Sequence, residues 1–286
     1  MEDTATAPVY KDPRFLLKVT VLAGLTGVLY GPVLMDLFSD WWNVPAASQG
    51  LLIPPLALYI AWLRRKETLR TPAAPGAFGL ALIAAACALF LLGKLAAEFY
   101  LTRISFVLLL AGLVWTFWGT TRFRTLLFPF LLLATMVPLP ALIYNSLTVP
   151  LQLVASWGAT EISRAFGVAV YQDGNIIRLA GATLGVEEAC SGLSALSSLL
   201  VGTVLLGFLL CGRVWARLIL LLISVPITIG VNIVRVAASA ILADYNAKFA
   251  MGFYHLFSGW LVFVCGAFLI FAIARLLGKL SPAPSR

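Results

Sequence analysis

Charge is what this sequence has least of. Only 11% of its 286 residues are Asp, Glu, Lys or Arg, against about a quarter in a soluble domain. With 61% hydrophobic residues and a mean hydropathy of +0.98, too little polar surface remains to keep a globule in water. An ordinary soluble fold is excluded. Histidine occurs once and cysteine four times, at Cys87, Cys190, Cys211 and Cys265, with no CxxC spacing. That pattern argues against structural zinc and against a disulfide framework, so no metal and no cofactor is expected. No basic helix or aromatic–basic stretch points to nucleic acid. The net charge of +8 fits loops rich in Lys and Arg on the cytoplasmic side of a membrane. No internal repeat and no long polar linker is present, so residues 1–286 read as a single membrane domain.

What is abundant is apolar runs. A span needs about 20 mostly apolar residues. Eight candidates fall at about 15–37, 47–63, 76–97, 102–119, 125–143, 190–210, 216–240 and 255–274. The first follows Lys11, Arg14 and Lys18 and is longer than a signal-peptide core, so it reads as a retained span. With the N-terminus inside, fourteen of the 20 Lys and Arg residues fall in cytoplasmic segments and four outside. This imbalance follows the positive-inside rule and predicts both termini in the cytoplasm. The tails are then 1–14 and 275–286. Lys94 and Glu98, at i, i+4, read as an ion pair.

One long segment, 144–189, is expected outside. Thr148-Val149-Pro150 suits a helix opening, and an amphipathic pattern follows through Leu151, Val154, Trp157, Ile162 and Phe166 to a stop at Gly167. A helix lying at the membrane interface is predicted. Asp173-Gly174 between two apolar runs predicts a β-hairpin, which Ala180–Val186 can extend. The predicted fold class is therefore an all-α polytopic membrane protein of about eight transmembrane helices, with a small extracytoplasmic cap of helix and hairpin.

This topology brings three reactive side chains to the outer level. Cys190 opens the sixth span, Arg235 lies near the outer end of the seventh, and His255 opens the eighth. A helix N-terminus or a nearby cation lowers a thiol pKa. An imidazole can accept the thiol proton and return it to a leaving amine, and a fixed guanidinium can hold an oxyanion. Polar stripes accompany them: Cys190, Ser194 and Ser197; Asn232, Arg235 and Ser239; and His255 with Ser258 and Gly259. Each residue also has a bland reading: small filler for the Cys, interface anchor for the His, a snorkelling chain for the Arg.

Val186-Glu187-Glu188-Ala189-Cys190-Ser191-Gly192-Leu193, Asn232-Ile233-Val234-Arg235 and His255 with Gly259 resemble the motifs of the exosortase/archaeosortase family. Weaker matches include Val137-Pro138-Leu139-Pro140 and Gly174-Asn175-Ile176-Ile177, over roughly residues 48–260. The resemblance implies a cysteine transpeptidase or endopeptidase of the bacterial inner membrane, with Cys190, Arg235 and His255 as its extracytoplasmic catalytic residues. It implies as partners secreted proteins with a C-terminal sorting signal (short motif, transmembrane helix, basic cluster) and a surface acceptor, lipid- or polysaccharide-linked. Membrane lipids surround the whole. Glu188, Glu187, Asn232 and Ser191 become supporting or substrate-binding residues. Where the family often has Ser-His-Gly, this chain has Ser48-Gln49-Gly50, so Gln49 can hydrogen-bond there but not titrate.

Other classes remain open on residues alone. Intramembrane Lys94 and Arg235 and proline-broken spans also suit a transporter, although no inverted repeat is seen. A non-catalytic scaffold of a polysaccharide export system, or a serine protease using Ser191 or Ser194, would share the same topology.

Overall fold

The computed structural model describes residues 13–71, 74, 76–186, 193–246 and 252–282, without the side chains of 13–16, 18, 193, 194 and 252–256. Apolar runs become helices and the one Asp-Gly punctuation becomes a sheet. Five helices are long and apolar enough to cross a membrane: Val19–Asn43, Phe78–Leu95, Phe99–Ala134, Val214–Tyr245 and Phe257–Leu280. Two shorter apolar helical stretches are Ser48–Leu63 and Ala195–Leu210. The chain divides into two compact units, Met1–Pro138 and Leu139–Arg286.

The first unit holds α1 (Pro13–Asn43), a 3-10 turn (Ser48–Leu51), α2 (Ile53–Leu63), α3 (Arg65–Arg70), α4 (Phe78–Leu95) and α5 (Phe99–Ala134). Helices α4 and α5 pack closely because small residues line their contact. A Cβ on Gly93 would sit 2.7 Å from the Thr102 backbone nitrogen, and Gly79 lies directly against Thr116. Small residues let backbones approach where helices have no hydrophobic drive to pair. Tyr30 of α1 joins them, edge-on to Phe90 with centroids 5.0 Å apart, its hydroxyl 2.9 Å from Ser105 Oγ. At the end of α1, Asp40 meets the buried Arg103 at 2.6 Å.

The expected Lys94–Glu98 ion pair is corrected. The Glu98 carboxylate caps α5, accepting from the backbone N–H of Tyr100 at 2.9 Å, while the Lys94 ammonium lies over the Phe90 ring at 5.8 Å. Orphan amides at a helix start outbid a flexible lysine for the carboxylate.

Helix α5 is broken at Gly119 (φ 81°, ψ 173°), a conformation nearly reserved for glycine. The segment before α4 fills the break: Ala74 bridges to Gly119, and Arg122 Nε donates to the Thr71 carbonyl at 2.8 Å. Arg64 Nη1 donates to the Thr125 carbonyl at 3.2 Å, and the Thr68 and Thr125 hydroxyls are 3.0 Å apart. The two basic segments that the charge count assigned to one side of the bilayer thus lie against one another.

The second unit holds α6 (Ala141–Ala165), β1 (Val170–Asp173), β2 (Ile176–Leu179), β3 (Thr183–Gly185), α7 (Leu193–Leu210), α8 (Val214–Tyr245) and α9 (Gly252–Leu280). Helix α6 begins earlier than expected. Pro140 sits at its N-cap and Pro150 lies inside it, so the apolar run expected to carry a span through residue 143 instead ends at Ala134. Its far end is as anticipated. Gly167 has φ +81°, its N–H bonds the Arg164 carbonyl, and the Val168 N–H bonds that of Ser163: a Schellman closure.

The strands form one antiparallel sheet in the order β1-β2-β3. Asp173 pairs with Ile176, leaving Gly174-Asn175 as the two-residue loop. Positive φ falls on Gly174 (62°) and not on Asn175, which is the type II′ pattern. Helices α7, α8 and α9 meet in a core of Leu199, Cys211, Ala216, Leu220, Ile270 and Ala274.

Candidate active site

Helix α8 carries a buried polar stripe: Ser224, Thr228, Asn232 and Ser239. The spacing puts these residues on one face of a helix that otherwise offers Val, Leu and Ile. Arg235 lies on this stretch, partly buried. Its guanidinium rests on α9 at Gly259, where a Cβ would stand 3.2 Å from Nη2, 3.3 Å from Cζ and 3.5 Å from Nε. Three guanidinium atoms thus lie within 3.5 Å of the place a Cβ would take on α9. His255 is four residues earlier in that helix, one turn away; its side chain is among those not described.

A second line of structure ends at the same turn of α8. Ile177 of β2 and Val186, just past β3, are fully buried in a cluster with Val236, Ala237 and Ala240 of α8 and Ala155 and Ala159 of α6. Asn175 fastens Val186 twice. Its backbone carbonyl accepts the Val186 N–H at 2.8 Å, and its side-chain amide donates to the Val186 carbonyl at 3.3 Å. The residue after Val186 starts the Glu187-Glu188-Ala189-Cys190-Ser191 segment. Cys190, Glu187, Glu188 and Ser191 lie outside the described residues. Gln49 is in the first unit, half-buried in the 3-10 turn. The next residue, Gly50, packs directly on the Trp41 indole, whose N–H donates to the Met136 carbonyl at 3.0 Å.

The other thiols have different surroundings. Cys87 and Cys265 are free and exposed, and Cys211 is free and buried. Burial pushes the Cys211 thiol up, partly offset by the neighbouring Arg217 charge. Among the described residues no group of His, Cys, Asp and Glu could hold a metal ion.

The sequence placed Arg235 and Gly259 on stripes expected to face one another, and the structure brings these two together. The close approach of the guanidinium to Gly259, and the double hold of Asn175 on Val186, are properties of tertiary contact. For Asn175 a signal existed in its place beside a hairpin glycine.

Long apolar helices and a polar stripe buried among them define a multi-pass membrane protein. Residues 41–272 match the model of the transmembrane exosortase family. That is most of the chain, and the protein belongs to this family. No curated protein and no solved structure matches it.

Proposed function

We propose that this protein is a membrane cysteine transpeptidase or endopeptidase that cleaves the C-terminal sorting signal of secreted proteins and passes them to a surface acceptor. The observation carrying this reading is the Arg235 guanidinium lying on α9 one turn from His255, with the strand that leads toward Cys190 buried against the same turn of α8. Cys190 is four positions after Val186, a path of at most about 14 Å for an extended chain.

In this reading His255 takes the thiol proton as Cys190 sulfur attacks the scissile carbonyl. The tetrahedral oxyanion forms beside Arg235, whose positive charge stabilises it. The C–N bond then breaks, His255 protonates the departing amine of the membrane tail, and a thioester to Cys190 remains. An acceptor nucleophile, or water, gives its proton to His255, attacks the thioester and frees the thiol. Asn232, on the turn before Arg235, helps orient the guanidinium, while Glu187, Glu188 and Ser191 contact substrate or His255. Gln49 can hydrogen-bond but cannot titrate.

Eight spans accommodate the described helices: α1, α2 with its preceding turn, α4, the two halves of α5, α7, α8 and α9. The termini are cytoplasmic, the chain sits in the bacterial inner membrane, and α6 with the sheet forms an extracytoplasmic cap. The test is to incubate purified protein with a tailed substrate and trap the acyl-enzyme. A thioester on Cys190, absent in Cys190→Ala protein that still inserts, is expected. Unimpaired processing by Cys190→Ala would reject the reading.

A further inference from the structure

The junction of α2, α3 and the break in α5 gathers six cations, Arg64, Arg65, Lys66, Arg70, Arg122 and Arg124, against one carboxylate, Glu67. Arg64 and Arg122 are tied to the Thr125 and Thr71 carbonyls, which fixes the frame. Arg65, Lys66, Arg70 and Arg124 are exposed. The Arg65 guanidinium lies 3.9 Å above the Trp62 ring, and Trp62 stacks on Tyr59 at 6.1 Å. Both rings are more than half exposed, as are Leu58 and Leu69. One patch therefore joins fixed cations to exposed aromatic and aliphatic surface.

We infer that this end of the first unit is a docking site for anionic phospholipid. The lipid phosphate meets Arg65, Arg70 and Arg124, since guanidinium pairs with phosphate through parallel N–H donors. The acyl chains run over Leu58, Tyr59 and Trp62. The apolar side chains of Leu58, Tyr59 and Trp62 set these cations beside lipid rather than open water, and a zwitterionic lipid would bring Arg65, Arg70 and Arg124 no net negative charge. Basic pockets at helix ends bind lipid headgroups on this physical basis, and Trp and Tyr favour the headgroup level. The site is separate from the catalytic reading and does not depend on it.

The experiment uses the full chain in phosphatidylcholine nanodiscs, with phosphatidylglycerol titrated in and retained lipid counted by native mass spectrometry. Phosphatidylglycerol should be retained at least about tenfold over phosphatidylcholine. R65Q/R70Q/R124Q should weaken that retention on the order of 100-fold, with R65Q and R124Q alone giving stepwise losses. R213Q/R275Q/K279Q removes three other exposed cations and should leave retention unchanged. Inorganic phosphate should not displace the lipid. Equal retention of the two lipids, equal losses in both triple variants, a flat response to the single variants, or displacement by phosphate alone would each overturn the inference.

Discussion

At Gly259 a hydrogen stands where any other residue would put carbon 3.2 Å from Arg235 Nη2. That is tight enough to move the guanidinium by a few tenths of an ångström for alanine and further for valine. Replacing Arg235 by Ala should lower turnover by about 10²–10³-fold, the usual loss for an oxyanion donor. Gly259→Val should lower kcat by roughly tenfold with little change in KM, as expected when only transition-state contacts suffer. The same substitution in an Arg235→Lys background should cost much less, because the planar group it displaces is gone. Steady-state rates on a tailed peptide check this; equal costs in both backgrounds would reject the coupling. Cys211 gives a contrast in thiol chemistry. It is 2% exposed and its pKa is raised mainly by burial, so it stays a protonated, shielded thiol at neutral pH. Iodoacetamide should leave it unmodified in folded protein, as peptide mapping would show, and label it only after denaturation. The buried polar stripe of α8 with Asn232 was legible in the sequence because an unusual polar residue in an apolar run marks itself. The glycine that seats Arg235 was legible only as part of a motif, since close approach between helices leaves no local pattern.

Helix α5 depends on one backbone conformation. Gly119→Ala would force a side chain into φ 81°, ψ 173° and against the Ala74 carbonyl. The strain alone costs about 1–3 kcal/mol, so thermal unfolding in detergent should show a clear loss of stability. The cap rests on β2: Ile177 is fully buried against α6 and α8. Ile177→Ala should cost about 2–5 kcal/mol and raise hydrogen exchange in β1–β3 while the spans still insert. Unchanged exchange in the sheet would show that the hairpin does not need this anchor. The hairpin and the end of α6 could be read ahead because Asp-Gly and Gly167 are local signals with one physical meaning. The start of α6 could not. Pro140 and Pro150 both suit a helix opening, and only packing decides that the first is the cap and the second is carried inside. Glu98 went astray for a similar reason: i, i+4 spacing suggested a lysine partner, and the helix amides took it.

For the whole molecule, the proposed eight-span arrangement predicts which surfaces share a compartment. Single cysteines introduced at Glu67 and Arg124 should react with an impermeant maleimide only from the cytoplasmic side, and one at Asp173 only from the opposite side. Labelling of Asp173 and Glu67 positions from one side would overturn the topology. The charge distribution is the ground for proposing this arrangement, because lipid and water sort Lys and Arg by side regardless of fold. How two compact units arise from one continuous apolar chain was not readable, since hydropathy reports burial in lipid and in protein alike. The grip of Asn175 on Val186 has a final implication. It makes the end of the sheet a mooring, and seven positions later Leu193 begins another rigid element. Lengthening a tethered stretch costs little free energy, only about 0.6 kcal/mol per doubling. Two glycines added between Val186 and Leu193 should therefore spare melting temperature while misaligning the sulfur, so endurance and turnover would part company in a single variant.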